Sequence, residues 1–397
     1  METNIPGVKK DSGKYCLAVD ISNETVKTLI FKRKDEKIVI DGVSIQFFER
    51  FGVFDTINFG REVITKNIIK AIAEAYQNLG GEISKPEKLP LLLGLPANIS
   101  KGRIFFGTLK RNNPKIEIQE KEEKEIYKRI LKESQKEISE NFAQSYGILP
   151  EDLEFLTLEI LDIKIDGYEV PYLRGFKGKE LSFRVMAIFS PKYYIEEFKK
   201  IFKNIGFEIF KIIHLAQNLK LAFKEDISDC IFLDINDNFT QIFLIKEGKL
   251  ISISEFEIGG GNFTRTISQV LGITEKAAQN LKEKYFKKAL SEEVRKRVKE
   301  IIKTTLDEWF FNLKFKLKEA IELSLPSNFF LFGSGSQLPE IQEILETGEW
   351  EEFVFIQEPK VKLIYPKELK NIEDTTNILN TPQFISTILI SYAPLEI

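Results

Sequence analysis

The chain reads Tyr15-Cys16-Leu17-Ala18-Val19-Asp20 near its start and Asp229-Cys230-Ile231-Phe232-Leu233-Asp234 in its second half. Each stretch is an apolar run that ends in Asp, and each is followed by a short polar turn and a second apolar run. This pattern predicts a strand, a turn and a second strand, which form a β-hairpin. The repeat therefore predicts two similar halves facing each other across a cleft, although two unrelated hairpins in one large mixed domain would give the same pattern.

A third stretch carries a different signal. It reads Phe329-Phe330-Leu331-Phe332-Gly333-Ser334-Gly335-Ser336, an apolar strand followed by a Gly/Ser turn, and a helix is predicted to begin near Leu338. Glycine allows a close approach of the backbone to a flat ligand and accepts positive φ angles. The turn is therefore a candidate ligand-binding turn.

In chain order, these three motifs resemble the two phosphate loops and the adenosine motif of the actin superfamily. The resemblance implies an α/β protein with the actin-like two-lobed ATPase fold, built from duplicated ribonuclease-H-like domains. Three motifs in this order are specific for the fold and much less specific for an activity.

Within that superfamily the chain resembles the bacterial cell-division protein FtsA and its near cousin, the pilus-assembly protein PilM. The resemblance extends over about residues 14–393. It rests on four further segments: the turn Gly259-Gly260-Gly261-Asn262, the helix with Ala278-Gln279-Asn280-Leu281-Lys282, the segment from Asp166 to Leu181 with Gly175 and Gly178, and the final helix with Phe384-Ile385-Ser386-Thr387-Ile388.

The resemblance also implies a division into domains. Residues 14–90 and 185–225 would form the first actin-like domain, residues 91–184 an inserted α+β subdomain, and residues 226–393 the second actin-like domain. The inserted part contains a highly charged predicted helix, Glu120–Tyr146, with one apolar face. Such a face usually packs on a sheet, but it could also bind a partner protein, as the inserted subdomain of FtsA and PilM does.

Composition limits the possible classes of protein. Lys and Arg number 57 against 60 Asp and Glu, so bulk charge gives no reason to expect nucleic-acid binding. The two cysteines, Cys16 and Cys230, lie in predicted buried strands, which favours a reducing compartment and core packing over disulfide formation. No apolar run is long enough to span a bilayer. We therefore expect a cytoplasmic protein.

The resemblance implies that ATP and Mg²⁺ would bind between the three motifs. The metal would be held by Asp20 and Asp234. The nucleotide site would comprise Asp20, Ser22, Asn23, Asp234, Asn236, Asn238, Gly259, Gly260, Lys282, Gly333, Ser334 and Gly335.

Both phosphate loops depart from the family pattern. Phosphate loops use glycine so that backbone N–H groups can reach anionic oxygens without obstruction. Here Ser22 replaces glycine in the first loop, and the second loop, Asn236-Asp237-Asn238, has no glycine at all. Asp237 also adds a negative charge close to any phosphate, which would help only with a divalent metal between them. ATP and Mg²⁺ binding are therefore predicted to be weak or vestigial.

The residues expected to support hydrolysis depart from the pattern as well. Where FtsA has Glu-Pro-Leu-Ala, this chain has Ile213-His214-Leu215-Ala216. His214 is the only histidine and could act as a base near neutral pH, or it could cap a turn or pack at a surface between domains. Gln279, where the family favours Glu, weakens the expected ribose contact. We expect a weak ATPase at most.

Three functions remain open at the level of sequence. The first is an actin-like scaffold of bacterial cell division, which links a tubulin-like division polymer to the membrane and self-associates into filaments. The second is a PilM-type cytoplasmic adaptor of type IV pilus assembly, which binds an inner-membrane pilus protein. The third is a sugar-kinase-type phosphotransferase. The first two imply a location at the inner face of the cell membrane, with peripheral or partner-mediated attachment.

Overall fold

The computed structural model describes residues 14–48, 54–55, 58–79, 88–223, 227–320, 324–351 and 353–395. The chain divides into two compact units. Unit 1 combines Met1–Ala97 with Ile201–Ile397, and unit 2 consists of Asn98–Lys200.

The strands and helices follow in chain order. The strands are β1 (Tyr15–Ile21), β2 (Thr25–Lys34), β3 (Lys37–Phe47), β4 (Phe54–Asp55), β5 (Asn58–Phe59), β6 (Leu91–Gly94), β7 (Lys101–Lys110), β8 (Leu153–Ile165), β9 (Tyr168–Val170), β10 (Glu180–Pro191), β11 (Ile209–Ile213), β12 (Cys230–Ile235), β13 (Thr240–Lys246), β14 (Lys249–Phe256), β15 (Ser324–Leu325), β16 (Asn328–Phe332), β17 (Val354–Phe355), β18 (Lys360–Leu363) and β19 (Ile372–Asp374). The α-helices are α1 (Arg61–Gln77), α2 (Glu120–Tyr146), α3 (Lys192–Asn204), α4 (Leu219–Ala222), α5 (Gly260–Leu271), α6 (Glu275–Phe286), α7 (Glu292–Ala320), α8 (Pro339–Thr347) and α9 (Ile385–Ser391). Short 3₁₀ turns lie at Pro150–Asp152, Leu215–Gln217, Pro366–Glu368 and Pro382–Phe384. Within the described residues, no helix combines the length and apolarity needed to cross a bilayer.

Two sheets of unit 1 share the same order of five strands, and the first adds β19 at its edge. The first has the order β11-β6-β1-β2-β3-β19 and the second has the order β14-β13-β12-β16-β18. In each sheet the first three strands along the chain are antiparallel neighbours. A later strand pairs in parallel with the first one, and another pairs in parallel with that later strand. This repeated order confirms the predicted α/β fold with two ribonuclease-H-like halves.

The central strands explain why the sequence motif is so apolar. Leu17–Val19 in β1 and Ile231–Leu233 in β12 are completely inaccessible to solvent. Strands covered on both faces read as continuous apolar runs rather than as an alternating pattern. Cys16 and Cys230 lie at the same position in the two strands, and both are buried free thiols, as expected.

Unit 2 is an α+β module. Its sheet has the order β7-β10-β8-β9, with antiparallel neighbours throughout. The apolar face of α2 packs on this sheet, with Ile126 and Ile130 in one cluster and Ile138 and Phe142 in another. Helix α2 ends at Gly147, whose φ of 66° suits glycine at a helix C-terminus. The charged helix therefore uses its apolar face for packing within unit 2.

The boundaries differ from those predicted from sequence. Residues 91–94 form β6, which pairs with β1 and β11 in the first sheet, so they do not belong to the inserted unit. Strand β10 continues to Pro191 in the sheet of unit 2, beyond the predicted boundary at 184. A strand belongs to the sheet with which it forms hydrogen bonds. The compact units divide near residues 97 and 200, and the second of these divisions lies within α3.

The C-terminal part of the chain returns to the first sheet. Strand β19 pairs with β3, and Asn218 Nδ2 donates to Leu389 O in α9. Residues predicted to lie in the second actin-like domain (226–393) therefore contribute to the first half as well.

Candidate functional site

The two hairpins bring their Asp residues to equivalent positions. Asp20 lies opposite Lys27 across the first hairpin, and Asp234 lies opposite Gln241 across the second. Both hairpin ends line one cavity of about 30 Å³ in unit 1. The predicted site residues that line this cavity are Asp20, Ser22, Asn23, His214, Asp234, Asn236 and Asn238.

The carboxylate of Asp20 is held by the final helix. Ser386 Oγ and Thr387 Oγ1 each donate a hydrogen bond of 2.8 Å to Asp20 Oδ2. The Nζ atom of Lys27, a side chain that is almost completely buried, lies 3.8 Å from the same oxygen. Asp20 therefore fastens α9 to the first hairpin.

The carboxyl group of Asp234 receives fewer hydrogen bonds than that of Asp20. Asn236 Nδ2 donates to Asp234 Oδ2 at 2.7 Å, whereas Oδ1 has no hydrogen-bond partner among the described residues. Burial raises the pKa of Asp234 to about 7; the positive charge of Lys27 opposes the rise and the negative charge of Asp20 adds to it.

The backbone N–H groups of the first turn are hydrogen-bonded within the turn itself. Ser22 Oγ accepts hydrogen bonds from the N–H groups of Glu24 and Thr25, at 3.4 and 3.0 Å. The N–H of Ser22 donates to Thr25 O at 2.8 Å. A serine in place of glycine thus uses N–H groups that a phosphate loop would direct at an anion.

The N-terminus of α5 is satisfied in the same way. Its first N–H groups donate as follows: Gly259 to Asn262 Oδ1 at 3.0 Å, Gly260 to Asn236 O at 2.6 Å, Gly261 to Asp237 O at 2.8 Å, and Asn262 to Gly259 O at 3.1 Å. A helix N-terminus binds anions through such unpaired donors. Here backbone oxygens of the second turn and the side-chain oxygen of Asn262 accept the hydrogen bonds that a bound anion would accept.

The second turn carries a buried acidic side chain. Asp237, from the second turn, is 2% exposed, and its Oδ1 has no hydrogen-bond partner among the described residues. Burial, together with the nearby acidic group of Glu24 from the first turn, raises the pKa of Asp237 to about 9.

Lys282 is directed at neutral oxygens. Its Nζ donates to Gly260 O at 2.7 Å and to Thr264 Oγ1 at 2.5 Å. Burial lowers its pKa, while the charges of Glu24 and Asp237 oppose that change. Gln279, on the same helix, accepts a hydrogen bond from Thr264 Oγ1 at 2.9 Å. The predicted nucleoside-binding lysine therefore joins α6 to the start of α5.

The glycines of the third motif allow the loops to pack on each other. Gly333 has a φ of 91°, and a Cβ there would lie 2.6 Å from Asp234 Oδ1. A Cβ on Gly335 would lie 2.9 Å from the backbone of Gly260, and one on Gly259 would lie 2.4 Å from Asn236 O. The half-buried Ser334 lies between Gly333 and Gly335. These glycines are required for close contacts within the protein itself.

His214 caps a short helical turn. Its Nδ1 accepts a hydrogen bond from the N–H of Ala216 at 3.2 Å, and its own N–H donates to Gln217 Oε1 at 2.9 Å. Its Nε2 lies 3.2 Å from the side-chain amide of Gln241. Because Nδ1 accepts a hydrogen bond, the proton of the neutral ring is on Nε2. Nε2 therefore donates to Gln241, whose side-chain amide is oriented with its oxygen toward the ring. This arrangement supports the capping interpretation of His214.

The residues of the cleft do not fit a metal–triphosphate group in this arrangement. The loop donors named above are used within the chain, and the buried carboxyl group of Asp237 lies against the first turn of α5. In the described part of the chain, no group of three or more His, Cys, Asp or Glu side chains is arranged to hold a metal ion. The Mg²⁺ predicted at Asp20 and Asp234 therefore remains a prediction based on two carboxylates alone.

Several residues of this site were not predicted from the sequence: Ser386 and Thr387, which bind Asp20, and Glu24, Lys27 and Gln241. Lys27 could have been found, because a charged residue inside the apolar run Val26–Phe31 must face a partner when the strand is buried. Glu24 and Gln241 carry no such signal, because their partners lie in other parts of the chain.

A duplicated sheet of this topology, with both hairpins and a Gly/Ser turn at one cleft, defines the actin-like ATPase fold, and this chain has that fold. No family model matches the sequence. The cell division protein FtsA of Streptococcus pneumoniae serotype 2 (strain D39) is 22% identical over 355 residues, which cover 84% of this chain and 73% of that protein.

Solved structures agree on the fold. The structure of a PilM-PilN type IV pilus biogenesis complex matches with a TM-score of 0.69 at 14% identity, over 97% of this chain and 100% of that one. The ethanolamine utilization protein EutJ of Carboxydothermus hydrogenoformans matches with a TM-score of 0.50 at 12% identity, over 97% and 92% of the two chains. The recognition of an actin-like chain that resembles FtsA and PilM is confirmed.

Proposed function

We propose that this chain is an actin-like scaffold protein that acts at the inner face of the bacterial cell membrane by binding other proteins. One observation carries the proposal: the N–H groups at the start of α5 and in the first turn are bonded within the chain. An enzyme of phosphoryl transfer depends on such donors to hold and stabilise the phosphates. ATP and Mg²⁺ binding would then be weak or vestigial, and a sugar-kinase-type phosphotransferase is the least supported function.

The first candidate role is in cell division. The identity with FtsA extends over most of this chain. In this role the protein would link a tubulin-like division polymer to the membrane and associate with further copies of itself.

The second candidate role is a cytoplasmic adaptor of type IV pilus assembly. The likeness to PilM in its complex with PilN covers nearly all of both chains. In this role the protein would bind the cytoplasmic segment of an inner-membrane pilus protein.

In both roles we propose that unit 2 provides the partner contact. Unit 2 exposes several large apolar side chains: Ile116 is 60% exposed, Tyr168 78% and Tyr172 57%. Phe176 lies beside Tyr172, with ring centroids 5.8 Å apart. Exposed apolar groups in one area are typical of protein-binding surfaces.

A binding experiment with both partners tests the proposal. The full chain is mixed with the purified tubulin-like division protein, or with the cytoplasmic segment of the inner-membrane pilus protein, from the same organism. We expect binding to one of them, weakened at least tenfold by a combined Tyr168→Ser and Tyr172→Ser change. Phe106→Ser is the matched control, because Phe106 is 58% exposed on β7, at the opposite edge of the same sheet. Binding to neither partner would contradict the scaffold function, and equal losses in both variants would contradict the assigned surface.

A further inference from the structure

Helix α7 exposes two aromatic side chains on the side that faces solvent. Phe311 is 65% exposed and Phe315 is 51% exposed, and they lie one turn apart on the helix. The opposite side of α7, with Trp309 and Leu313, is buried in the core of the second sheet. The packing of α7 within unit 1 therefore does not use the two phenylalanines. Exposed aromatic groups in one area are typical of protein-binding surfaces.

Charged residues of opposite sign lie at the two ends of this aromatic pair. Glu308 lies one turn before Phe311, and Lys318 lies one turn after Phe315; both are exposed. Residues spaced three and four apart share one face of a helix. The four residues Glu308, Phe311, Phe315 and Lys318 therefore form a single line along α7, which we call the α7 stripe.

The α7 stripe is complementary to a second copy of itself. Glu308 and Lys318 lie at equal distances from the midpoint between the two phenylalanines. When two such helices pack in antiparallel orientation about that midpoint, Phe311 of each copy faces Phe315 of the other. Glu308 of each copy then faces Lys318 of the other, so each attractive charge pair occurs twice. A parallel arrangement would instead place like charges opposite each other.

The neighbouring charges are compatible with this arrangement. Asp307, which is exposed beside the stripe, would lie near Glu319 of the other copy. Glu319 Oε2 already accepts a hydrogen bond of 2.8 Å from Lys316 Nζ in its own helix, which offsets its charge. The same Nζ lies 5.5 Å from the centroid of the Phe315 ring.

We propose that two copies of this chain associate through their α7 stripes in an antiparallel, twofold arrangement. Such a contact closes at two copies, so it is distinct from the end-to-end contacts that build filaments. It lies on unit 1, and it does not depend on which partner protein unit 2 binds.

Charge reversal at either end of the stripe tests the pairing. Sedimentation of the full chain over a range of protein concentrations at low salt measures the dissociation constant of the dimer. Glu308→Lys and Lys318→Glu each place like charges opposite each other at both ends of the contact. We expect either change to raise the dissociation constant about tenfold, because two attractive pairs become repulsive. This difference should shrink at high salt, which screens exposed charges.

An equal mixture of the two variants tests the twofold arrangement itself. In a dimer of one Glu308→Lys copy and one Lys318→Glu copy, every lysine again faces a glutamate. The mixture should therefore dimerise as well as the unmodified chain, although neither variant does so alone. A chain that carries both changes should also dimerise like the unmodified chain.

Matched controls separate the stripe from general surface effects. Glu137→Lys makes the same charge change at an exposed position on α2, and it should leave dimerisation unchanged. Phe311→Ala should weaken dimerisation, whereas Phe106→Ala, at a similarly exposed position on β7, should not. The two tryptophans, Trp309 and Trp350, are buried in the core of the second sheet, so their fluorescence shows that each variant is folded.

Three results would overturn the inference: an unmodified chain that stays monomeric, charge-reversed variants that dimerise as well as the unmodified chain, or a mixture that associates no better than its components. The proposed scaffold function is judged separately, by the binding of the partner proteins, which Glu308→Lys should leave unchanged.

Discussion

Asp20 and Asp234 occupy equivalent places in the two halves, yet their surroundings differ. Asp20 receives two hydroxyl donors from α9 and lies beside Lys27, whereas Asp234 receives one amide donor and keeps an unpartnered oxygen. A buried carboxylate with few donors is costly to ionise. The duplication has therefore conserved the backbone position while the two carboxyl groups have acquired different electrostatic properties.

The first prediction concerns Asp234. Its pKa of about 7 lies above the unfolded value, so its contribution to stability is lost as the pH rises through about 7. Asp234→Asn should therefore increase the free energy of unfolding at pH 8 by more than ~1 kcal/mol relative to its effect at pH 5. Urea unfolding in metal-chelating buffer measures this difference, with Asp307→Asn as the exposed control. A variant with the same effect at both pH values would contradict the assigned ionisation.

The second prediction concerns Gly335. A Cβ here would lie 2.8 Å from Ile235 Cγ2 and 2.9 Å from the backbone of Gly260, which cannot move away easily. Gly335→Ala should destabilise the protein by ~1–3 kcal/mol in the absence of any nucleotide. Denaturant unfolding compares it with Ser334→Ala at the neighbouring half-buried position. Wild-type stability in Gly335→Ala would instead mean that this glycine serves a ligand rather than the packing of the loops.

For most hydrogen bonds in this site, one of the two partner residues was predictable from the sequence. Asp20, Ser22, Asp234 and Asn236 were found because they follow a repeated pattern along the chain. Their partners, such as Ser386 for Asp20, are selected by the way distant segments meet, which a single sequence does not encode locally. For the same reason the glycines were recognised, although their close contacts proved to be with the protein itself.

At the level of elements, β6 decides where the inserted unit begins. It pairs in parallel with β1 on one side and β11 on the other, so it is a central strand of the first sheet. In the sequence, residues 91–94 are as apolar as the segment that ends at Phe189. Apolar character predicts a buried strand, but it does not show which sheet that strand joins. The existence of an inserted α+β unit was predictable, whereas its ends depended on hydrogen-bond partners.

The third prediction follows from this boundary. Replacing residues 98–200 with a flexible linker should leave the folded core of unit 1 intact, as reported by the fluorescence of its buried tryptophans. Replacing residues 91–200 removes β6 as well and should abolish cooperative unfolding, because a central strand would be missing from the sheet. If both deletions behaved alike, the boundary near residue 97 would be wrong.

At the level of the whole molecule, the duplicated actin-like fold raises the question of assembly. End-to-end contacts between identical copies produce open filaments when the rotation between them does not close a ring. Because the N–H groups of the loops are hydrogen-bonded within the chain itself, assembly should not depend on ATP.

The fourth prediction is therefore nucleotide-independent self-association. Sedimentation and negative-stain microscopy over a range of protein concentrations, with and without ATP and with and without lipid, should show the same assemblies whether or not ATP is added. A strictly monomeric protein under all conditions would contradict the filament prediction and leave the pilus adaptor as the favoured role.

The central claim is that the phosphate loops of this actin-like chain serve its own packing rather than a nucleotide. Titration calorimetry with Mg²⁺ and ATP, combined with a phosphate-release assay on the same unmodified protein, tests it most directly. The account predicts affinity no tighter than millimolar, and turnover far below the ~10 per second of a typical enzyme. Micromolar affinity together with rapid hydrolysis would contradict it.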